Sequence, residues 1–197
     1  MNAAQFWSLA VSAIFVQNLV LVYMLVDGSY FKALKSPIAG LIYGLLVTVA
    51  ATAASMLSWV VNHFLLQPFS LSWLAPFSFV FVIVVLEVGA QLSVSRYAPK
   101  HSEQLSRLLP ASAFNCAVMG LVFLNVEVGA KGFWGTAFYG LCAGLGYLAA
   151  LFISASALER VRFSTPPTVF KGLPIALITA GIIALALMGF SGAVIPY

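Results

Sequence analysis

The sequence has very little charge. Only 7% of its 197 residues are Asp, Glu, Lys or Arg, whereas 62% are hydrophobic and the mean hydropathy is +1.06. A soluble domain normally carries about 25% charged residues, because polar groups must cover its surface. The chain is therefore predicted to be solvated by a lipid bilayer. Its formal net charge of +4 is too small to indicate nucleic acid as a partner.

Cysteine is scarce, and the usual catalytic groupings are absent. Cys116 and Cys142 both fall inside apolar stretches, so the sequence indicates no disulfide framework. There is no Ser-His-Asp candidate, no pair of carboxylates and no phosphate-binding loop, and His63 and His101 stand in different loops. The chain is therefore predicted to be non-catalytic by itself.

What the sequence does contain is long stretches without charge. Residues 1–26, 108–126, 132–158 and 172–197 contain no Asp, Glu, Lys or Arg. About 20 apolar residues cross a bilayer core, so each stretch can hold one membrane helix. The stretch 36–86 is divided by Asn62-His63 and Pro68, and it holds a second helix and most of a third, which extends to about Ser95. We therefore predict an all-α integral membrane protein with six transmembrane helices.

The orientation of these helices is indicated by their loops. Eight of the nine basic residues fall in the first, third and fifth connections: Lys32, Lys35, Arg96, Lys100, Arg107, Arg160, Arg162 and Lys171. Short loops rich in Lys and Arg stay cytoplasmic, which predicts both termini on the outer, periplasmic face. Residues 1–15 contain no Lys or Arg, so the first stretch is predicted to be a membrane helix rather than a signal peptide.

Features recur at a nearly constant offset in the two halves, residues 1–97 and 98–197. The pairs are Asn18 and Asn115, 97 apart, Tyr43-Gly44-Leu45 and Tyr139-Gly140-Leu141, 96 apart, and Pro76 and Pro174, 98 apart. Homologous halves of three helices insert with opposite orientation, which predicts a single membrane domain, 1–197, built from two inverted repeats. The alternative is coincidence in an apolar composition. The small residues around Gly44 and Gly140 also predict close helix packing.

A few polar residues fall at membrane depth. Asn18 and Asn115 lie in the middle of predicted helices, where inverted-repeat proteins place ion and cofactor sites. The alternative is that each amide bonds to helix backbone and fixes packing. Cys116 is a candidate ligand for a soft metal, or else a small apolar filler. Cys142, between Gly140 and Gly144, is predicted to be packing.

Glu87 is an acidic residue inside the third predicted helix. It stands nine residues before Arg96, which places it about 13 Å inside the cytoplasmic border. A carboxylate at this depth is a candidate for an ion path carrying Na⁺ or H⁺. The alternative is a neutral Glu that bonds to Gln91, one turn further on.

Several blocks of the sequence resemble a known family. They are Asn18-Leu-Val-Leu-Val, Asn115-Cys116-Ala-Val-Met-Gly, Tyr139-Gly140, and residues 175–181, Ile-Ala-Leu-Ile-Thr-Ala-Gly. Together they resemble the Rnf/Nqr family of small membrane subunits, in particular the A-subunit type of Rnf complexes. This type is similar to the E-subunit type of sodium-translocating NADH:quinone oxidoreductase. The resemblance covers nearly the whole chain.

The resemblance implies six helices in an inverted repeat, a bacterial inner membrane and a homologous partner subunit. It also implies a complex that moves electrons between ferredoxin or NADH, flavins and quinone or NAD while translocating Na⁺ or H⁺. Flavins and further iron–sulfur centres are expected on partner subunits only. The alternatives to this function are a stand-alone ion or solute transporter and a divergent scaffold subunit without a redox role.

A cofactor is implied at Cys116, in the Asn-Cys block. In the family, this cysteine helps to hold a [2Fe-2S] cluster between two paired subunits, and a second cysteine at the end of the first helix supplies another ligand. That second position is Gly28 in this chain. Glycine has no ligand atom, so the site would need Asp27, Ser29 or a partner chain to complete it.

Overall fold

The computed structural model describes Trp7 and residues 9–97, 102–128, 132–163 and 172–189. The α-helices are α1 (Gly28–Ala33), α2 (Pro37–Val61), α3 (Ala75–Tyr97), α4 (Ser102–Ala113), α5 (Cys116–Val128), α6 (Gly132–Phe163) and α7 (Leu173–Met188). Ser12–Val16 and Asn62–Leu66 are π-helical, and Ser72–Leu74 is a 3-10 turn. All regular structure in these ranges is helical, which confirms the predicted all-α class for this part of the chain.

Within the part of the chain that the structure describes, three helices are long and apolar enough to cross a membrane. They are Pro37–Leu66 with 30 residues, Ala75–Arg96 with 22 and Gly132–Val161 with 30. Cys116–Asn125 and Leu173–Leu187 are shorter apolar helices. The predicted membrane embedding is confirmed, because these helices match the second, third and fifth predicted spans. The number of six spans stays a prediction, and both termini lie outside the described residues.

The first and fourth predicted spans differ from the expectation of one continuous helix each. In the first, the helix ends in the π-helical turn Ser12–Val16, where the Gln17 N–H donates to the Ser12 carbonyl at 2.7 Å. In the fourth, α4 ends at Ala113 and α5 begins at Cys116. An asparagine stands two residues beyond each helix end, Asn18 after Val16 and Asn115 after Ala113, and its short amide side chain competes with the helix for backbone hydrogen bonds.

The chain divides into two compact units, with both boundaries inside long helices. Unit 1 is Met1–Leu45 with Cys142–Tyr197, and unit 2 is Leu46–Leu141. In unit 1, the first turns of α2 pack against the second half of α6, where a Cβ built on Gly44 would lie 3.1 Å from the Leu148 Cα. Tyr43, Tyr147 and Leu151 are buried in this unit. The close helix approach predicted at Gly44 is confirmed.

Unit 2 repeats this packing with the other halves of the same helices. A Cβ on Gly140 of α6 would lie 2.7 Å from the Ser55 Oγ and 3.4 Å from the Thr52 Cα, both on α2. The helix α3 packs against α4 and α5, with the rings of Phe79 and Phe123 at 5.8 Å. The approach predicted at Gly140 is therefore also confirmed, and a side chain at this position would have to displace α2.

The Gly140→Leu substitution is expected to destabilise the protein. The added side chain meets Ser55 and the α2 backbone, and overpacking of this kind costs about 1–3 kcal/mol. Thermal unfolding of the purified protein in detergent measures the effect as a lower Tm. Gly89→Leu on α3 is the matched control, because a Cβ on Gly89 meets nothing within 4 Å. An equal Tm for the two variants would contradict the close packing.

Candidate functional site

Asn18 builds the break in the first helix. Its Oδ1 accepts from the N–H groups of Val20 at 3.0 Å and Leu21 at 3.1 Å. Its Nδ2 donates to the carbonyls of Ile14 at 2.9 Å and Gly146 at 3.0 Å. The residue is 2% exposed. The amide thus uses both donors and both acceptor positions on backbone groups that the break leaves open.

Gly146 is a part of this arrangement that sequence reasoning missed. Its carbonyl accepts from Asn18 across 128 positions of the chain. A Cβ at Gly146 would lie 3.1 Å from the Ile14 Cα and 3.3 Å from the Ala13 carbonyl oxygen. Only a glycine lets α6 approach the broken helix this closely. The signal that could have found it is the run Gly140, Gly144 and Gly146 on one membrane helix.

Asn115 occupies the second break in a similar way. Its Oδ1 accepts from the Ala117 N–H at 2.9 Å, and the Cys116 thiol approaches the same oxygen at 3.6 Å. The side-chain oxygen therefore serves the N–H two residues further on, as the oxygen of Asn18 does. Asn115 directly precedes α5, and Asn is a helix-start signal, so the sequence held a sign of the second break.

The second break opens into a pocket of about 270 Å³ in unit 2. Its lining consists of Val80, Ile83, Ala113, Phe114, Asn115, Cys116 and Met119. Cys116 is half-buried and is the first residue of α5. The structure therefore brings the predicted residues Asn115 and Cys116 together with the middle of α3, in surroundings that are mainly apolar.

The residues present do not fit a [2Fe-2S] cluster for which this chain supplies two thiolates. A [2Fe-2S] cluster needs four ligands, and Gly28, the implied position of this chain's second cysteine, has no ligand atom. Cys142 is buried in α6 within unit 1. Gly28 begins α1, and the Asp27 carboxylate beside it accepts from the Tyr30 N–H at 3.0 Å as a helix cap.

Glu87 is a buried carboxyl group of α3 and is 3% exposed. The Gln91 Nε2 donates to its Oε1 at 2.7 Å, so the predicted contact with Gln91 is confirmed. Its Oε2 is buried and has no hydrogen-bond partner among the described atoms. Buried polar groups are normally satisfied, which makes this oxygen an exception that calls for an explanation.

Comparison with known proteins identifies the family. A family model described as "Rnf-Nqr subunit, membrane protein" matches residues 6–194. The chain belongs to the Rnf-Nqr family. This confirms the resemblance seen in the sequence.

Relatives in the Rnf-Nqr family align over nearly their whole length. The A-type subunit of the ion-translocating oxidoreductase complex of Edwardsiella ictaluri is 37% identical over 186 residues, which are 94% of this chain and 96% of the relative. A subunit of the same type from an Azoarcus species is 36% identical, over 90% of this chain and 91% of the relative. The one from Thioalkalivibrio sulfidiphilus is 37% identical, over 93% of this chain and 95% of the relative. The family model, which matches residues 6–194, spans both Asn18 and Asn115.

Proposed function

We propose that this chain is the A-type membrane subunit of an ion-translocating oxidoreductase complex and is not catalytic by itself. The observation that carries the proposal is the alignment with a subunit of that type over 94% of this chain and 96% of the relative. The described residues agree with such a role, since apolar helices carry buried polar groups at two helix breaks and on α3. The complex would couple electron transfer between ferredoxin or NADH, flavin and quinone or NAD to ion translocation.

The partners proposed are those that a protein of this type requires. They are a homologous membrane subunit, flavin-carrying and iron–sulfur subunits of the complex, and the lipid of a bacterial inner membrane. The relatives are named as members of a multi-subunit complex, which supports partners of this kind. The long apolar helices support the lipid environment.

The inverted repeat is part of the same proposal, with six membrane helices and both termini periplasmic. The close contact of Gly44 with Leu148 lies in unit 1, and that of Gly140 with Thr52 lies in unit 2. Gly44 and Gly140 are 96 positions apart, as are Thr52 and Leu148. The asparagines at the two breaks also use their side-chain oxygens alike. Matching contacts at one offset support two related halves.

The orientation is tested by labelling single cysteines with a membrane-impermeant maleimide in intact cells. Pro68→Cys and Lys35→Cys are placed in a Cys116→Ser, Cys142→Ala background, and both positions are exposed. We expect label at position 68 in intact cells and at position 35 only after the membrane is opened, because basic loops stay inside. The opposite pattern would overturn the proposed topology.

The proposed function is tested by purifying the tagged chain from its native membrane in mild detergent. We expect it to co-purify with flavoprotein and with a homologous membrane subunit, and the preparation to show donor-dependent electron transfer. Recovery of the chain alone, with ion or solute flux after reconstitution and without an electron donor, would replace the proposal with a stand-alone transporter. If the complex keeps its electron-transfer activity in the Glu87→Gln and Cys116→Ala variants, this chain serves only as a scaffold subunit.

A further inference from the structure

The helix α3 has one buried face, and Glu87 lies on it. Phe79, Val82, Ile83 and Glu87 are all buried, and their spacing of three, one and four residues places them on one side of a helix. Phe81, on another face, is 68% exposed. Since α3 packs against α4 and α5, the Glu87 carboxyl is held within unit 2 and away from lipid.

The buried face of α3 that carries Glu87 also lines the pocket at the break between α4 and α5. The ring of Phe79 contacts the ring of Phe123 on α5, and Ile83, one turn along α3, lines a pocket with Met119, one turn earlier on α5. The two helices are therefore antiparallel. Ile83 lines this pocket together with Asn115 and Cys116 at the break, and Glu87 lies one turn beyond Ile83 on the same face of α3.

The carboxyl group of Glu87 is half satisfied. Gln91 orients it by donating to Oε1, while Oε2 is left without a partner among the described atoms. An ionised carboxylate in this position is not compensated, and its burial is costly. A bound cation or a proton on the carboxyl removes that charge. The geometry thus leaves one carboxylate oxygen for a positively charged ligand.

A break between two helices lies near this carboxyl group. The helix α4 ends at Ala113 and α5 begins at Cys116, so the negative end of one helix dipole and the positive end of another meet there. In transport proteins with discontinuous helices, the C-terminal ends of half-helices take part in binding Na⁺ or H⁺. We propose that Glu87, oriented by Gln91 and one helical turn from the residues that line the pocket at the α4–α5 break, binds a small monovalent cation, Na⁺ or H⁺. This rests on the proposed function, for which it names the site of the translocated ion in this chain.

The test uses native membranes that contain the full chain. Dicyclohexylcarbodiimide adds to protonated carboxyl groups in apolar surroundings, and mass spectrometry of the chain locates the adduct. We expect an adduct on Glu87 in choline chloride. If the ion is Na⁺, NaCl at about ten times its dissociation constant slows this reaction roughly tenfold by mass action. If the ion is H⁺, the adduct forms equally fast in both salts.

Two variants serve as controls for this labelling. Glu87→Gln should remove the adduct. Glu159→Gln changes an exposed position of α6 and should keep the adduct on Glu87.

The outcomes separate this site from the proposed function. No adduct on Glu87 in membranes where the chain co-purifies with its partners would overturn the cation site alone. An adduct on Glu87 in a chain that purifies without partners would overturn the proposed complex and leave the cation site standing. An adduct that forms equally on Glu87 and on the exposed Glu159 would also overturn the site, because the reaction would then report general access.

Discussion

The Gly28→Cys variant of the purified complex is expected to gain a reducible [2Fe-2S] signal that depends on this chain. Gly28 stands at the position where the sequence resemblance implies the second cysteine, and a Cβ built there meets nothing within 4 Å. The substitution therefore restores the missing thiolate without a steric cost. Electron paramagnetic resonance and iron quantitation measure the gain as about two iron atoms per complex, the content of one such cluster.

The matched control for this variant is Cys116→Ser. In the Gly28→Cys background it should remove the new signal, because Cys116 is the remaining thiolate at the implied site. In the unmodified chain it should change neither the spectrum nor the iron content. A [2Fe-2S] signal in the unmodified complex that disappears in Cys116→Ser would show that the cluster is present with a different ligand in place of Gly28.

The Asn18→Ala substitution is expected to cause the largest loss of stability among single changes at the helix breaks. It removes four hydrogen bonds to the backbone, and each buried group left unsatisfied costs about 1–3 kcal/mol. Thermal unfolding in detergent should show a markedly lower Tm. Val22→Ala is the control, since Val22 is close in sequence and exposed. Equal Tm values for both variants would mean that solvent or lipid replaces the Asn18 bonds.

Asn18 and Glu87 show how differently two buried polar residues can act. Every hydrogen-bonding position of the Asn18 amide is used by backbone, so its role is to hold the break and to tie it to α6 within unit 1. The Glu87 carboxyl keeps one oxygen without a partner among the described atoms. The first pattern is typical of a structural residue, and the second leaves an oxygen that a bound ion or water can satisfy.

The local features of the candidate site were accessible from the sequence. The bond between Glu87 and Gln91 spans one helical turn, so it follows from their spacing once the region is known to be helical. The position of Cys116 after Asn115 is equally local, and the small residues at Gly44 and Gly140 indicated close helix packing without naming the partner helix. Neither break was predicted. Long apolar stretches indicate continuous spans, and within such a stretch the capping signal of Asn115 is easily overlooked.

The sequence alone determined that this protein lies in a membrane and that it belongs among the Rnf-Nqr subunits. Composition decides which solvent the chain can occupy, since a charge content of 7% cannot cover a surface facing water. Tertiary structure decided that Asn18 bonds to the carbonyl of Gly146, that Gly44 meets Leu148, and that Ile83 lines a pocket with Asn115 and Cys116. These contacts join residues on different helices, and their partners are selected by how side chains fit together in three dimensions, which spacing along one helix does not encode.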